Sequence, residues 1–363
     1  MKRLAVCVDN VVEYLQLLSQ YSFVLINPKM DDVMKQRVIA RAGCAAVIDN
    51  NGLHHIGGGA DHDNEAMVFT TSGSTGEVKL CSFTSAQLDI KIKQIIDWFS
   101  LTANDRYVNM VPLWTTYGMT FYLAAHRTGM QIDFVDAKNI RSVPDYNPTV
   151  MLSTPRLLQI LLGSSMPDLR FIRSGTEPMT LAQYHQFKEA FDTRIMNSYG
   201  MTEALGTCLT VPLHGEQPPG VAGLPFGMDV RIHDGELQLQ GRTFFQPGWY
   251  ATGDLAYQDA QGYFVIQGRI KDLISINGAK IAPAVVERML LERHPEIGEV
   301  VVFGKHSVNV LYDGDCDTND LMTDIRSLCL GYRPALVQRV DSIPRADSGK
   351  VSRSMLVAQM CVD

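Results

Sequence analysis

Residues 33–49, VMKQRVIARAGCAAVID, carry an apolar pattern that suits a helix leading into a buried strand, with Asp31 and Asp32 placed to cap it. Residues 52–65, GLHHIGGGADHDNE, read as a loop, and the apolar, partly β-branched run AMVFTT at 66–71 reads as a short strand. The alternation continues with a helix near 85–99, strands near 107–111 and 132–135, a helix near 154–163, a strand near 169–173 and a helix near 180–190. After about residue 220 the texture changes to short strands with turn signals, as in DVRIHDGELQLQG and QDAQGYFVIQG. From about residue 270 a compact α+β unit is predicted, with a helix near 283–293, a strand near 299–304 and a helix near 318–330. The expected fold class is α/β: a large α/β domain with a β-rich subdomain, residues 1–269, and a small C-terminal α+β domain, residues 270–363, divided at GRIKD.

Composition narrows the function classes. The chain has 363 residues, 46% of them hydrophobic and 20% charged, enough for a sizeable core and more than one domain. A formal charge of -7 without a cluster of Lys and Arg argues against nucleic acid or anionic lipid as a partner. Asp9, Asn10 and Glu13 interrupt the apolar run a signal peptide needs, and no stretch is long and apolar enough for a membrane span, so a soluble, cytoplasmic protein is expected. The seven cysteines are scattered singly, and neither they nor the adjacent His54 and His55 show metal-ligand spacing.

Five stretches carry candidate chemistry. TTSGSTGEVK, residues 70–79, places hydroxyls, two glycines and Lys79 between a strand and a helix. Such a loop can turn backbone N–H groups toward phosphate, although the same residues also make plain turns. In NSYGMTEA, residues 197–204, Tyr199 could stack on a base and Glu203 could hold Mg²⁺, or they could be a core tyrosine and a solvated acid. WYATGDLA, residues 249–256, offers Asp254 as an acceptor for a ribose diol. GRIKDLISINGAKIAPAVVE, residues 268–287, offers Arg269 to phosphate or ribose and Gly278 for close backbone approach, or is a hairpin with solvated charges. IPRADSGKVSRSML, residues 343–356, puts Lys350 on a loop, where lysine is ordinarily solvated.

In this order the five stretches resemble the acyl-adenylate-forming superfamily of acyl-CoA synthetases, adenylation domains and luciferases, over roughly residues 25–356. The resemblance implies ATP-dependent activation of a carboxylic acid as acyl-AMP, followed by transfer to the thiol of CoA or of phosphopantetheine on an acyl or peptidyl carrier protein. It implies that Thr71, Ser72, Gly73, Ser74, Thr75, Gly76 and Lys79 hold the β and γ phosphates of ATP. Thr202 and Glu203 are then placed at the α-phosphate and Mg²⁺, and Tyr199 and Gly200 with Gly175, Thr176 and Glu177 of SGTEP lie around adenine. Asp254 and Arg269 would bind ribose, and Lys350 would bridge the carboxylate and α-phosphate. The small domain is expected to be mobile, swinging about Lys271 to bring the segment around Gly278 to the thiol.

Two departures from that pattern matter. The segment before the phosphate loop is shorter than in most members, so an amino-terminal portion is expected to be absent, as in a minimal enzyme, one completed by a partner, or a degenerate one. In VPLWTTYGMTF, residues 111–121, Thr115 stands where many members place His, and no Asp is present to pair with an α-ammonium. Trp114, Thr115, Tyr117 and Gly118, with Met119 and Phe121, are the expected acyl pocket, favouring an aryl or fatty acid, although such residues also build ordinary cores. A non-catalytic nucleotide or acyl-AMP-binding protein, and an adenylate-forming enzyme with an amine acceptor, are the alternatives.

Overall fold

The computed structural model describes residues 1–72, 78–136, 138–215, 218, 220–345 and 351–360. The first sheet is built from β1 (Lys2–Val6), β2 (Tyr21–Leu25), β3 (Ala46–Asp49), β4 (Gly52–His55), β5 (Glu65–Ser72) and β6 (Val78–Thr84), in the order β4-β3-β1-β2-β5-β6. Helix α1 (Asp32–Ala42) crosses between β2 and β3. It starts at Asp31, whose side chain accepts from the Met34 N–H, and stops at Gly43 in the left-handed conformation. Strands β1, β2, β3 and β5 pair in parallel and are buried on both faces, so they read as apolar runs without alternation. Residues 52–55, expected in a loop, instead form β4, which pairs antiparallel with β3. The local signal there was Gly-rich, and the tight turn at Asn50-Asn51 pairs the segment with β3.

Helix α2 (Ser85–Phe99) follows β6, capped by a reciprocal box between Thr84 and Gln87. The second sheet comprises β7 (Arg106–Asn109), β8 (Gln131–Phe134), β9 (Val150–Ser153), β10 (Phe171–Ser174), β11 (Arg194–Met201), β12 (Gly206–Thr210) and β13 (Leu224–Pro225), ordered β13-β12-β11-β10-β9-β7-β8. Its crossovers include α3 (Thr116–Thr128), α4 (Pro155–Ile160) and α5 (Leu181–Phe191). One continuous core joins the two sheets through α2 and α3. It contains Phe23, Phe69 and Phe83 from the first sheet, Phe99 and Phe121 from the helices, and Tyr107 and Phe171 from the second sheet.

The β-rich region after residue 220 is a four-stranded antiparallel sheet of β14 (Asp229–His233), β15 (Glu236–Gln240), β16 (Tyr250–Gln258) and β17 (Phe264–Arg269). Beyond it come β18 (Ile274–Ile276), β19 (Ala279–Ile281), α6 (Pro283–Arg293), β20 (Val300–Phe303), β21 (Asn309–Tyr312), α7 (Thr318–Leu328), β22 (Leu336–Arg339) and α8 (Arg353–Met360). The apolar clusters of this last part draw only on residues from Ile274 onward.

Candidate nucleotide site

The β5–β6 hairpin sets the first part of the site. Its register pairs Thr71 with Lys79 and Ser72 with Val78. Gly73, Ser74, Thr75 and Gly76 lie outside the described residues, as does Lys350. At the hairpin base Lys79 Nζ donates to Tyr250 Oη at 3.2 Å, lies 3.5 Å from Glu203 Oε1 and sits 4.3 Å over the Phe245 ring. Burial lowers the Lys79 pKa, but Tyr250 and Glu203 outweigh it and the net direction is upward, so the ammonium stays charged. Thr202 and Glu203 lie on a 3-10 turn, Thr202–Ala204, and the Glu203 carbonyl accepts from Phe245 N–H at 2.9 Å.

A second group forms one rung away. Tyr199, on β11, donates its hydroxyl to Asp254 Oδ2 at 2.5 Å, and Arg269 Nε meets Asp254 Oδ1 at 2.9 Å. Asp254 and Arg269 are cross-strand partners on β16 and β17, and the Asp254 N–H donates to Thr252 Oγ1. Burial raises the Asp254 pKa, opposed by Arg269 and Tyr199. Burial and the Asp254 charge likewise push the Tyr199 phenol well up, so it stays a donor. Asp254, expected to accept from a ribose diol, is buried and each of its oxygens holds one partner, with lone pairs remaining. Gly200 is required by close approach, since a Cβ there would stand 2.4 Å from the Gly206 carbonyl oxygen beside a bulge in the β11–β12 pairing.

The β10 end contributes Gly175, Thr176 and Glu177. Thr176 is held at φ +69°, a left-handed conformation costly for a β-branched residue. The Tyr117 ring packs against Gly175, and its hydroxyl donates to the Arg173 carbonyl at 3.0 Å. Thr115 has a structural assignment: it caps α3, accepting from Gly118 N–H at 3.1 Å and donating to the Pro112 carbonyl at 2.8 Å. Gly118 admits no Cβ, which would lie 2.3 Å from that same oxygen. Of the remaining expected pocket residues, Met119 and Phe121 are fully buried in the central core, while Trp114 is half-buried at its margin.

Lys271 is exposed on a 3-10 turn, Ile270–Asp272. Gly278 and Asn277 form the turn between β18 and β19 with φ +84° and +48°, so the glycine meets a conformational need rather than a crowding one. Both flanks of residues 346–350 are tied to the body of the last part. Arg345 Nη2 meets Glu299 at 2.6 Å, and Arg353 Nη2 meets both Glu287 oxygens at 2.7 Å while its Nη1 lies 3.3 Å from Asp272.

Tyr250 and Phe245 are site residues the sequence reading did not single out. Tyr250 lies inside WYATGDLA, four positions before Asp254 on the same strand, and that spacing was the available signal. The charged set fits an anionic nucleotide: a cation and a loosely engaged carboxylate at the hairpin base, and a carboxylate–guanidinium pair beyond. Among the described residues no group of three metal-ligating side chains occurs. Mg²⁺ ordinarily takes one or two protein carboxylates plus phosphates and water, so a lone carboxylate such as that of Glu203 would fit the ion.

The family model described as AMP-binding enzyme matches residues 22–248. Among curated proteins, the chain is 29% identical over 349 residues to an oxalate–CoA ligase of Arabidopsis thaliana, covering 82% of this chain and 68% of that protein. It is 27% identical over 333 residues to a 2-succinylbenzoate–CoA ligase of Listeria monocytogenes, covering 82% of this chain and 70% of that one. The chain thus spans about two thirds of the length of these relatives. In fold it is similar to an anthranilate CoA ligase bound to anthranoyl-AMP, with a TM-score of 0.84 at 18% identity over 99% of this chain and 87% of that chain. It is also similar to the O-succinylbenzoate coenzyme A synthetase of Bacillus subtilis bound to ATP and magnesium, with a TM-score of 0.83 at 22% identity over 98% of this chain and 89% of that chain.

Proposed function

Because the chain belongs to the AMP-binding enzyme family, we propose that it activates a carboxylic acid with ATP as acyl-AMP and passes the acyl group to a thiol, that of CoA or of a carrier-borne phosphopantetheine. The named relatives are CoA ligases, which favours CoA. The observation that carries the reading is a pair of bridges between β11 with its following turn and β16: Tyr199 to Asp254, and Glu203 to Tyr250 with Lys79 between them. They support the reading by bringing the residues assigned to base, ribose and phosphate onto two neighbouring strands and the hairpin beside them.

In the reaction a carboxylate oxygen bonds to the α-phosphorus and the bond to the pyrophosphate oxygen breaks. The thiol sulfur then bonds to the acyl carbon, AMP departs with the oxygen, and the thiol proton goes to solvent. Lys79 with the hairpin tip orients the leaving phosphates, Thr202 and Glu203 stand at the α-phosphate, and Asp254 with Arg269 holds ribose. Glu203 would hold Mg²⁺, which would supply positive charge against the phosphates. Lys350 stabilises the charge that builds at phosphorus, worth roughly 3 kcal/mol for one preorganised donor.

Residues 1–269 and 270–363 act as two domains in this reading, with Lys271 at the hinge and Gly278 beside the thiol path. A cytoplasmic setting belongs to the same proposal, in keeping with six free cysteines among the described residues. Among those residues no helix is long and apolar enough to cross a membrane. The test is Lys350→Ala: it should abolish acid-dependent pyrophosphate exchange yet spare thioester formation from supplied acyl-AMP. Equal loss of both steps would refute the role given to this lysine.

A further inference from the structure

Lys79, Glu203 and Tyr250 meet as a triangle at the base of the β5–β6 hairpin. Lys79 Nζ donates to Tyr250 Oη at 3.2 Å, Tyr250 Oη donates to Glu203 Oε1 at 3.5 Å, and Nζ and Oε1 are themselves 3.5 Å apart. A lysine and a carboxylate that pair freely close to about 2.8 Å, so this pair stands open by a margin in which the phenol oxygen sits. The hydroxyl accepts from the cation and offers its one proton to the anion, so each charged group keeps a partner without closing on the other. The Lys79 ammonium also lies 4.3 Å from the Phe245 ring centroid and 5.0 Å from that of Tyr250, a cation–π attraction that holds it on its own side of the gap.

The hydroxyl is kept in that gap because its ring is packed from two sides. The Tyr250 ring lies 5.0 Å from Phe244 and 6.0 Å from Phe245, centroid to centroid. Phe244 is buried, and its carbonyl accepts from Gln87 Nε2 of α2 at 2.8 Å. The Phe245 N–H donates to the Glu203 carbonyl, so the loop between β15 and β16 braces both the ring of Tyr250 and the turn that carries the carboxylate.

We infer that Tyr250 is a positioning residue for nucleotide binding: its hydroxyl is a spacer that keeps Lys79 and Glu203 from closing on each other, leaving the cation open to phosphate oxygens and the carboxylate open to a metal ion. This rests on the ATP-dependent function above and goes beyond it by giving Tyr250 a part in keeping both charges available. Without the hydroxyl the pair should close from 3.5 Å to about 2.8 Å, which at an effective dielectric of ~20 strengthens it about tenfold. An incoming triphosphate would have to break that contact before reaching Lys79.

The test is ATP binding by isothermal titration with EDTA present, so that no metal enters the readout, in the wild type, Tyr250→Phe, Glu203→Gln and the double variant. Tyr250→Phe keeps the ring and removes only the hydroxyl, and it should bind ATP about tenfold more weakly. Glu203→Gln relieves the repulsion between carboxylate and phosphate in both backgrounds, but only in Tyr250→Phe does it also free a closed Lys79. It should therefore improve affinity about tenfold more in that background than in the wild type. Restored binding in the double variant also shows that Tyr250→Phe folds. Wild-type affinity in Tyr250→Phe overturns the inference, as does a loss that Glu203→Gln leaves uncorrected, because the hydroxyl would then act on ATP directly or only support the fold. Wild-type binding that appears only when Mg²⁺ is added overturns it too, because Lys79 would not be open. All three leave acid activation standing. A wild type that binds no ATP with or without Mg²⁺ overturns both.

Discussion

Lys91 is fully buried on α2, where its Nζ donates to the Thr207 carbonyl at 2.9 Å and faces the Phe226 ring, and the energetics of that burial can be measured without any substrate. Burial lowers its pKa from 10.5 to about 8, with Cys208 opposing the shift and Arg173 adding to it. Because the folded state holds the proton less tightly than the unfolded chain, the unfolded state binds more protons between pH 8 and 10.5, and stability must rise with pH across that window. Below pH 8 the full penalty is present, ~3 kcal/mol at 1.36 kcal/mol per pH unit. Lys91→Met removes the penalty but deprives the Thr207 carbonyl of its donor, which costs ~1–3 kcal/mol, so at pH 7.5 the variant should be equal to the wild type or slightly more stable. At pH 9.5 the wild type should have gained about 2 kcal/mol that the variant does not gain. Urea denaturation at both pH values can be followed by Trp98, whose ring packs 5.3 Å from Phe226, the ring facing Lys91. A wild-type-minus-variant difference that stays constant from pH 7.5 to 9.5 would refute the reasoning, because it would mean Lys91 does not release its proton earlier in the folded state.

Three further outcomes follow from other residues. Burial raises the Glu65 pKa, but hydrogen bonds from Arg3, Ser22 and Ser82 outweigh it and hold the carboxyl down at about 2, so its stabilisation is present above pH 4.5 and lost as pH falls toward 2. Glu65→Gln should cost ~2–3 kcal/mol at pH 7 and much less at pH 2.5, read from urea midpoints. Thr115→Val removes the α3 cap and should cost ~1 kcal/mol, with Thr115→Ser restoring it in thermal denaturation. Arg353→Met leaves Glu287 buried without its cation and should destabilise the last part of the chain by ~3 kcal/mol, seen as faster hydrogen exchange in α6 and β20 but not in β7 or β9.

Residues that signal locally were legible in the sequence. Asp31 ahead of a periodic stretch marked α1, and the helices at Ser85–Phe99 and Pro283–Arg293 lie where their patterns place them. The ordered Lys79, Tyr199, Glu203, Asp254 and Arg269 are drawn into one region although far apart in the chain. Helix α3 was not legible, because Thr116 to Tyr122 are all buried and an element covered on every side shows no 3.6-residue stripe. Nor was Arg173, which reads as an ordinary charge at a strand end until its neighbours from α2, α3 and β12 are seen to enclose it. The Tyr250–Lys79 contact depends on long-range pairing, which no local pattern encodes, whereas β4 is the second arm of a tight hairpin with β3 whose Asn50-Asn51 turn was a local signal left unread.

Arg353 joins two places that would otherwise vary separately. One guanidinium nitrogen lies near Asp272, the residue after the proposed hinge Lys271, while the other grips Glu287, and the same residue follows Lys350 by three positions. The proposed pivot and the helix that follows residue 350 therefore share one electrostatic anchor. If the proposed roles of Lys271 and Lys350 hold, a substitution at Asp272 or Glu287 would be felt at both, and the two proposed half-reactions would not be tuned independently.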